Sequence, residues 1–493
     1  MRQAFLLNIF LLLLVNVLIK PFFIFGIDLS VQNQTAPGAY GLYFALLNWT
    51  FLFQIVGDFG LQNYNTKHVS GHPHLLEPYF GRLLTLKILL SAGYFVVALL
   101  AALWIGRYSG AALGWLAMLL FNQILTQITL FLRTNISGLG FYKIDSLLSS
   151  LDKFLMLLFC GAALWWWSVS GTGFFPMEWF ILAQTAALIV TVGGVAWVLA
   201  LKRPVRLRWQ RGPYHRKVML VLLRKSLPFA VVILLMSAYT RLDGIFLERL
   251  LTDGALHNDV FAGAYRLLDA LNMFGYLFAS LLLPMFSKQL AAKTDIRPLT
   301  HLGFRLIWTG SFTACVAVTL HSYDLAALMF DADGGDIAYR AAVSRILIWS
   351  FAAVCVTYIF STLLTAGEQL RQMNRFFIGG IALDVALNLA LVPTYKAIGS
   401  SVASVVTQGF VALGMVWLCY RVYHIRPTVR GIFQFAIFML LTVGLAVGLQ
   451  QHPTLPWFWQ FAGTLLGGGT AALLSGWISW RSFTTPGIKD LPQ

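Results

Sequence analysis

Apolar runs of about 20 residues follow one another along most of this chain, and they limit its fold more than any other feature. A helix of that length crosses the hydrocarbon core of a bilayer, which is about 30 Å thick, because each residue adds about 1.5 Å. Charged residues make up only 11% of the 493 residues, too few to cover a water-soluble globule. The sequence therefore predicts an all-α, polytopic membrane protein.

We predict about fourteen transmembrane helices. The apolar runs lie at about 5–27, 40–61, 83–105, 110–132, 146–168, 177–201, 227–249, 261–285, 302–321, 342–365, 376–393, 398–420, 431–450 and 457–479. The first run is too long for the core of a signal peptide and lacks a small-residue cleavage site, so we expect it to remain as the first span.

A strongly basic stretch at 202–225 separates two apolar halves, and it contains nine Lys and Arg residues. Short loops rich in Lys and Arg mark the cytoplasmic face of a membrane protein, and the other basic residues also fall mostly in alternate connections. With fourteen spans, this alternation predicts a cytoplasmic linker and two cytoplasmic termini. The net charge of +16 then reports membrane orientation, and we predict no nucleic-acid partner.

An internal repeat supports two related halves. The sequence Gly38-Ala39-Tyr40 at the start of the second span recurs as Gly263-Ala264-Tyr265 at the start of the eighth, with Leu and Ala at the same later offsets. Six spans separate the copies, so the repeats have parallel topology and two six-helix bundles would face a central cleft. The predicted parts are a bundle at 1–201, the linker at 202–225, a bundle at 226–424, and two additional helices with a cytoplasmic tail at 425–493.

Four cations inside or near the spans are the predicted substrate-binding residues. Charges within a membrane are costly, so they usually face a cavity or one another. Lys20 and Arg241 lie at similar depths in the first helices of the two repeats, which would place them on opposite walls of the cleft. Arg266 and Arg345 lie nearer the outer surface, where snorkelling toward water is an equal alternative, and Asp269 could neutralise Arg266.

Acidic residues in or beside the spans could carry a coupling proton or sodium ion, or could simply pair with the cations. These residues are Asp58, Asp243, Asp269 and Asp384. Lys87 and Lys153 lie nearer the cytoplasmic ends, so we expect both to snorkel. The four cysteines lie in apolar runs without metal-ligand spacing, and the acidic loop at 331–336 lacks the closing Glu of a calcium loop, so we predict no metal site.

Lys and Arg at mid-membrane suit an anionic head group such as a phosphate or diphosphate, because guanidinium groups pair with phosphate oxygens in a bidentate manner. No phosphate-binding loop for nucleotides is present, so we predict no cofactor. The energy for transport would come from ion antiport or from the membrane potential.

Several motifs resemble those of a known transporter family. They are Leu18-Ile19-Lys20-Pro21, Asp58-Phe59-Gly60-Leu61, Leu227-Pro228-Phe229, Pro284, and Asn388-x-x-Leu391-Val392-Pro393-x-Tyr395 with Ile398-Gly399 and Ala403. Over spans one to twelve, the sequence is similar to the polysaccharide-transporter branch of the multidrug/oligosaccharidyl-lipid/polysaccharide exporter superfamily. It departs from the pattern at Lys396, where the family often has Gly, and at Ser400-Ser401, where Ala-Ala is common.

The resemblance implies a flippase rather than an enzyme. Its cargo would be an oligosaccharide linked to undecaprenyl diphosphate, such as an O-antigen repeat unit for lipopolysaccharide. The flippase would move it to the periplasmic leaflet of a bacterial inner membrane by alternating access, beside polysaccharide polymerase and ligase machinery. The diphosphate would bind Lys20 and Arg241, with assistance from Arg266 and Arg345.

Two other functions stay open at this point. An ion-coupled multidrug antiporter of the same fold would need acidic rather than basic cavity residues. A polyprenyl-glycan polymerase or ligase would carry a large periplasmic loop with catalytic residues, and the short outer loops argue against it.

Overall fold

The fold is entirely helical in the ranges that the structure describes. The computed structural model describes residues 19–61, 76–139, 141–171, 173–202, 213–331, 334–426, 428–452 and 454–478. No strand occurs in these ranges, and eleven helical segments there are long and apolar enough to cross a membrane. The prediction of an all-α polytopic membrane protein is confirmed.

By its internal contacts the chain forms two compact units, Met1–Asp259 and Val260–Gln493. The first unit contains a π-helix α1 followed by α-helices, with these bounds: α1 Phe23–Asp28, α2 Leu29–Gln34, α3 Ala39–Asp58, α4 Leu76–Trp104, α5 Gly110–Gly138, α6 Tyr142–Leu148, α7 Leu151–Ser170, α8 Met177–Lys202 and α9 Pro213–Leu250. Helix α10, Gly254–Ala291, begins at the end of this unit and continues into the second.

The second unit continues from α10 with seven further helices in the described ranges. They are α11 Arg297–Leu320, α12 Ser322–Met329, α13 Gly334–Leu347, α14 Trp349–Ala366, α15 Leu370–Tyr423, α16 Val429–Gln450 and α17 Trp457–Leu474. Residues 203–212 of the predicted basic linker lie outside the described residues, and the rest of that stretch from Pro213 belongs to α9. The predicted division into bundles at the linker stays a prediction.

Helix α15 is a hairpin of two antiparallel arms. A straight helix of 54 residues would extend for about 80 Å, more than twice the thickness of the hydrocarbon core. The chain reverses at Lys396, whose φ of 55° lies outside the helical region. Across the hairpin, Ser400 donates a hydrogen bond to Asn388 at 3.0 Å, and a Cβ atom on Gly380 would lie 2.8 Å from Val411. These two contacts fix an antiparallel register, so α15 supplies two spans.

The observed helices agree with the predicted runs. The eleven long apolar segments cover twelve predicted spans, because α15 contains two. Most of the predicted first span lies outside the described residues, and the predicted last span forms the shorter helix α17. The arrangement as twelve spans plus two stays a prediction.

Aromatic side chains connect helices of the first unit through hydrogen bonds. Trp49 of α3 donates through Nε1 to the carbonyl oxygen of Ala98 at 3.1 Å, and Tyr94 donates to that of Thr50 at 3.0 Å. Interhelical hydrogen bonds in membranes contribute about 0.6 to 2 kcal/mol each. The pair therefore fixes how α3 packs on α4.

Small residues allow close helix packing in the second unit. Gly463 and Gly467 lie on α17 against Leu449 and Leu445 of α16. A Cβ atom on Gly467 would overlap the Leu445 side chain, so a larger residue there would require Leu445 to move. The two glycines therefore bring α17 close to α16.

Candidate functional site

Three cations gather near the first described helix, and we call Lys20, Arg133 and Lys153 the basic cluster. Lys20 is partly buried and is followed by Pro21. The π-helix α1 starts at Phe23, two residues after the proline. Proline removes a backbone donor, which fits the local departure from α-helical geometry. Arg133, Asp152 and Lys153 all lie close enough to act electrostatically on Lys20. The sequence predicted Lys20 as a site residue, and the structure surrounds it with charge.

The basic cluster has more positive than negative charge. Arg133 Nε lies 2.8 Å from Asp145 Oδ1, and Lys153 Nζ lies 3.6 Å from Asp152 Oδ2. Lys20 has no carboxylate within ion-pair distance among the residues that the structure describes. Three cations and two carboxylates therefore leave a net charge of about +1 in a partly buried position, which favours an anionic ligand.

Lys87 is buried in an ion pair with Asp58, so the prediction that Lys87 snorkels is wrong. Its side chain is 0% exposed, and Nζ lies 2.7 Å from Asp58 Oδ1. The ammonium also donates to the Gly57 carbonyl oxygen and to Gln127 Oε1, both at 3.0 Å. Three acceptors match its three N–H donors, which compensates for the lost hydration.

Arg241 lies on α9, which packs against α3 in the first unit. Its guanidinium carbon lies 4.7 Å from the ring centroid of Phe51, a cation–π contact with α3. Asp243, two residues later, is buried on a different face of α9, because side chains at positions i and i+2 do not share a helix face. A Cβ atom on the next residue, Gly244, would lie 2.6 Å from the Asn48 amide, so α9 approaches α3 closely.

The starts of α3 and α10 are held together at the end that the topology predicts to be periplasmic. Asn258 donates to the Gly41 carbonyl oxygen at 2.6 Å, and Gln32 donates to the Asp259 carbonyl oxygen at 2.8 Å. A Cβ atom on Gly41 would overlap the Ala255 carbonyl oxygen. Only glycine permits this approach, and we call it the helix-start contact.

Tyr108 connects the loop after α4 to the end of α9. Its hydroxyl lies 3.0 Å from Glu248 Oε2, and the Arg249 guanidinium lies 3.5 Å from its ring centroid. Arg249 also pairs with Glu248 at 2.8 Å. Burial, together with the Glu248 charge, raises the pKa of Tyr108 above its usual range, so the hydroxyl stays protonated and donates to the carboxylate.

The remaining predicted cations have different surroundings. Arg266 Nη1 lies 3.6 Å from Asp269 Oδ2 on α10, so the expected neutralising pair forms. Arg345 is exposed near the end of α13. Both belong to the second unit, whereas Lys20 belongs to the first.

Asp384 lies at the centre of a buried polar group inside the α15 hairpin. Asn388 donates to Asp384 Oδ1 at 3.2 Å, and Thr407 approaches the same oxygen at 3.5 Å. Ser400 completes the chain of contacts through Asn388, and all four residues are buried. We call these four residues the Asp384 group. The Asn388 amide N–H and the Thr407 hydroxyl both face one oxygen of the Asp384 carboxylate, so neutral polar groups surround this buried acid.

The sequence did not indicate several of these residues as parts of a site. They are Gln127, Arg133, Asp145, Asn258, Ser400 and Thr407. The position of Arg133 next to a predicted span was the signal available for this residue. No group of three or more His, Cys, Asp or Glu side chains that could hold a metal ion occurs in the described part of the chain.

Comparison with known structures places the fold. The chain is similar to a lipid II flippase MurJ in an inward closed conformation, with a TM-score of 0.73 at 10% identity over 97% of this chain and 100% of that one. It is also similar to an inward-facing multidrug resistance MATE family transporter of the MOP superfamily, with a TM-score of 0.61 at 15% identity over 82% and 96% of the two chains. A MOP superfamily transporter from Pyrococcus furiosus has a TM-score of 0.56 at 14% identity, over 86% of this chain and 95% of its own. These neighbours are flippases and transporters, not enzymes.

Comparison at the level of sequence gives the family. Among curated proteins, none matches this chain. Residues 5–290 match the model of a family described as polysaccharide biosynthesis protein. Because that match covers more than half of its 493 residues, the chain belongs to the polysaccharide biosynthesis protein family.

Proposed function

We propose that this protein is a flippase that moves an oligosaccharide linked to undecaprenyl diphosphate from the cytoplasmic to the periplasmic leaflet. The observation that carries the proposal is the basic cluster, in which two of the three cations pair with carboxylates and the third, the partly buried Lys20, does not. A net positive charge among membrane-spanning helices favours a lipid diphosphate and disfavours a cationic drug. The family and the likeness to a lipid II flippase support the same class of cargo.

In this proposal Lys20 and Arg241 bind the diphosphate. Lys20 has no paired carboxylate among the described residues, so a phosphate oxygen would supply its missing counter-ion. Arg241 lies over the Phe51 ring, and a guanidinium group can bind phosphate oxygens through the N–H groups at its edge. Arg266 and Arg345 have secondary roles, since Arg266 already pairs with Asp269 and Arg345 is exposed.

The Asp384 group is the proposed site of the coupling ion. Asp58 is held by Lys87, and Asp269 pairs with Arg266, so those two carboxylates already have cationic partners. Asp243 is buried at the α3–α9 contact and is a weaker candidate. Asp384 has amide and hydroxyl neighbours, and its carboxylate could accept a proton or a sodium ion.

Alternating access would open and close the helix-start contact.

The proposed location is a bacterial inner membrane with both termini in the cytoplasm, as the loop charges predict. A flippase in this place would supply polysaccharide polymerase and ligase enzymes on the periplasmic side, with O-antigen units for lipopolysaccharide as one class of cargo.

A multidrug antiporter is the second candidate, because the chain shares its fold with a MATE family transporter. That activity would extrude organic cations in exchange for protons or sodium ions. The positive basic cluster opposes it, since a cationic drug would meet charge of the same sign.

The test is leaflet translocation of a fluorescent polyprenyl diphosphate oligosaccharide in proteoliposomes. Wild type should move the lipid. Lys20→Ala or Arg241→Ala should raise the lipid concentration needed for half-maximal translocation by about 10- to 150-fold, because each removes a charge-assisted hydrogen bond to the diphosphate. Lys20→Arg should retain most activity. Lys288→Ala is the matched control, because Lys288 is an exposed cation in the second unit.

Two results would contradict this proposal. If wild type moves no diphosphate lipid but exchanges cationic drugs for protons, the antiporter replaces the flippase. If transport occurs but both alanine variants match Lys288→Ala at equal folded yield, the assigned binding residues are wrong.

A further inference from the structure

A cavity of about 610 Å³ lies within the second unit, apart from both the basic cluster and the Asp384 group. It lies between the start of α11, the end of α15 and the start of α16. Its walls are largely apolar, with Phe304, Tyr420, Ile432, Phe435 and Trp477 among them. The volume is in the range of specific ligand pockets, about 300 to 1,000 Å³.

Two arginines make one side of this cavity positive. Arg305 lines the cavity, with its guanidinium carbon 5.0 Å from the ring centroid of Trp477. Arg430 lies near enough to act on the Arg305 charge. No carboxylate lies within ion-pair distance of Arg305 among the residues that the structure describes. The carboxylate of Asp295 is close enough to His301 to influence its charge. Its ion-pair partner, however, is Arg297, at 3.9 Å.

The first turn of α16 adds to this positive region. Thr428 caps the helix by accepting a hydrogen bond from the Gly431 backbone N–H at 3.1 Å. A Cβ atom on Gly431 would lie 3.9 Å from the Arg305 guanidinium, so the arginine is next to the helix start. The amino end of a helix carries a partial positive charge, which acts in the same direction as the two arginines.

We infer that this cavity binds an anionic glycerophospholipid of the surrounding membrane. The phosphate would contact Arg305 and Arg430, and an acyl chain would occupy the apolar part between Phe304 and Ile432. Charge complementarity identifies the head group, and the apolar walls identify the chain. A polyprenyl diphosphate glycan fits less well, because the sugar would lack polar partners along these walls. This inference does not depend on the proposed function.

Lipid binding to the purified full-length protein, measured by native mass spectrometry, tests the inference. The probes are phosphatidylglycerol and phosphatidylcholine with identical acyl chains. Wild type should bind phosphatidylglycerol preferentially, and Arg305→Gln or Arg430→Gln should each weaken that binding by about fivefold. Arg305→Lys should retain the preference. The double variant Arg371→Gln/Arg375→Gln is the control, because both residues are exposed cations elsewhere in the second unit.

Further variants and probes separate the alternatives. Ile432→Trp should fill the cavity and abolish binding of both lipids at this site, with size-exclusion chromatography as the check on folding. Equal binding of the two phospholipids, or glutamine variants that match the control, would overturn the inference. Displacement of phosphatidylglycerol by glycerol phosphate alone would show a simple anion site, and stronger binding of undecaprenyl diphosphate would show a different lipid; either result also overturns it.

Discussion

Replacing Lys87 with methionine should destabilise the first unit more than any other single substitution of a lysine in the described ranges. Methionine keeps most of the side-chain length but removes the ammonium. The carboxylate of Asp58, only 15% exposed, would then lose its cationic partner inside the helical core. Gln127 Oε1 and the Gly57 carbonyl oxygen would lose the same donor.

The expected cost follows from the geometry. At 2.7 Å and an effective dielectric constant of about 20, the gross attraction between the two charges is about 6 kcal/mol. Desolvation of both ions offsets much of it, but removing one partner leaves the other charge uncompensated. Lys87→Met should therefore lower the free energy of unfolding by about 3 to 5 kcal/mol. Lys87→Met/Asp58→Asn, which leaves no buried charge, should recover about 1 to 3 kcal/mol of that loss.

Equilibrium unfolding in mixed detergent micelles, followed by tryptophan fluorescence, measures these differences. Lys288→Met is the control, because Lys288 is exposed, and its effect should stay within about 0.5 kcal/mol. If Lys87→Met behaves like this control, or if the double variant is less stable than the single one, the argument from an uncompensated carboxylate fails.

Three further predictions concern transport and packing. Gly41→Ala should lower the free energy of unfolding by about 1 to 3 kcal/mol, because the new Cβ would overlap at the helix-start contact. Gly93→Ala is the control, since no atom lies within 4 Å of its new Cβ, and thermal unfolding compares the two variants. Asp384→Asn should abolish the dependence of lipid transport on a sodium or proton gradient, while Asp295→Asn, at an exposed carboxylate of the same unit, should retain it; transport with and without each gradient decides. Arg345→Gln should leave stability within about 0.5 kcal/mol because the side chain is exposed, and a larger loss would show a buried role.

The spans could be predicted from the sequence because length and hydropathy alone determine them. The hairpin in α15 illustrates this. Two apolar runs separated by only a few residues predicted two spans, and the reversal at Lys396 follows Pro393 by three residues. Proline cannot donate a hydrogen bond to the preceding turn, so the helix weakens just before the reversal. Local chemistry was therefore sufficient for this part of the fold.

The partners of the charged residues could not be predicted in the same way. Lys87 and Asp58 lie 29 residues apart on different helices, and nothing in the local sequence shows that their faces meet. The same holds for Gln127, 40 residues beyond Lys87. Position near a span end favoured snorkelling for Lys87, but packing of α3, α4 and α5 placed the ammonium next to three acceptors. Side-chain pairing across helices is a property of the packed fold rather than of any one segment.

The charges of the described site bear directly on which cargo fits. Lys87, Arg266 and Arg249 each have a carboxylate partner, so their charges are largely compensated within the protein. Lys20 differs, because Asp152, the carboxylate that acts on it, is already paired with Lys153. A ligand that brings its own negative charge to Lys20 would complete this arrangement, whereas a cationic ligand would add to an existing excess. The proposed lipid diphosphate cargo agrees with that asymmetry, and Lys20→Ala is the substitution that tests the proposal most directly.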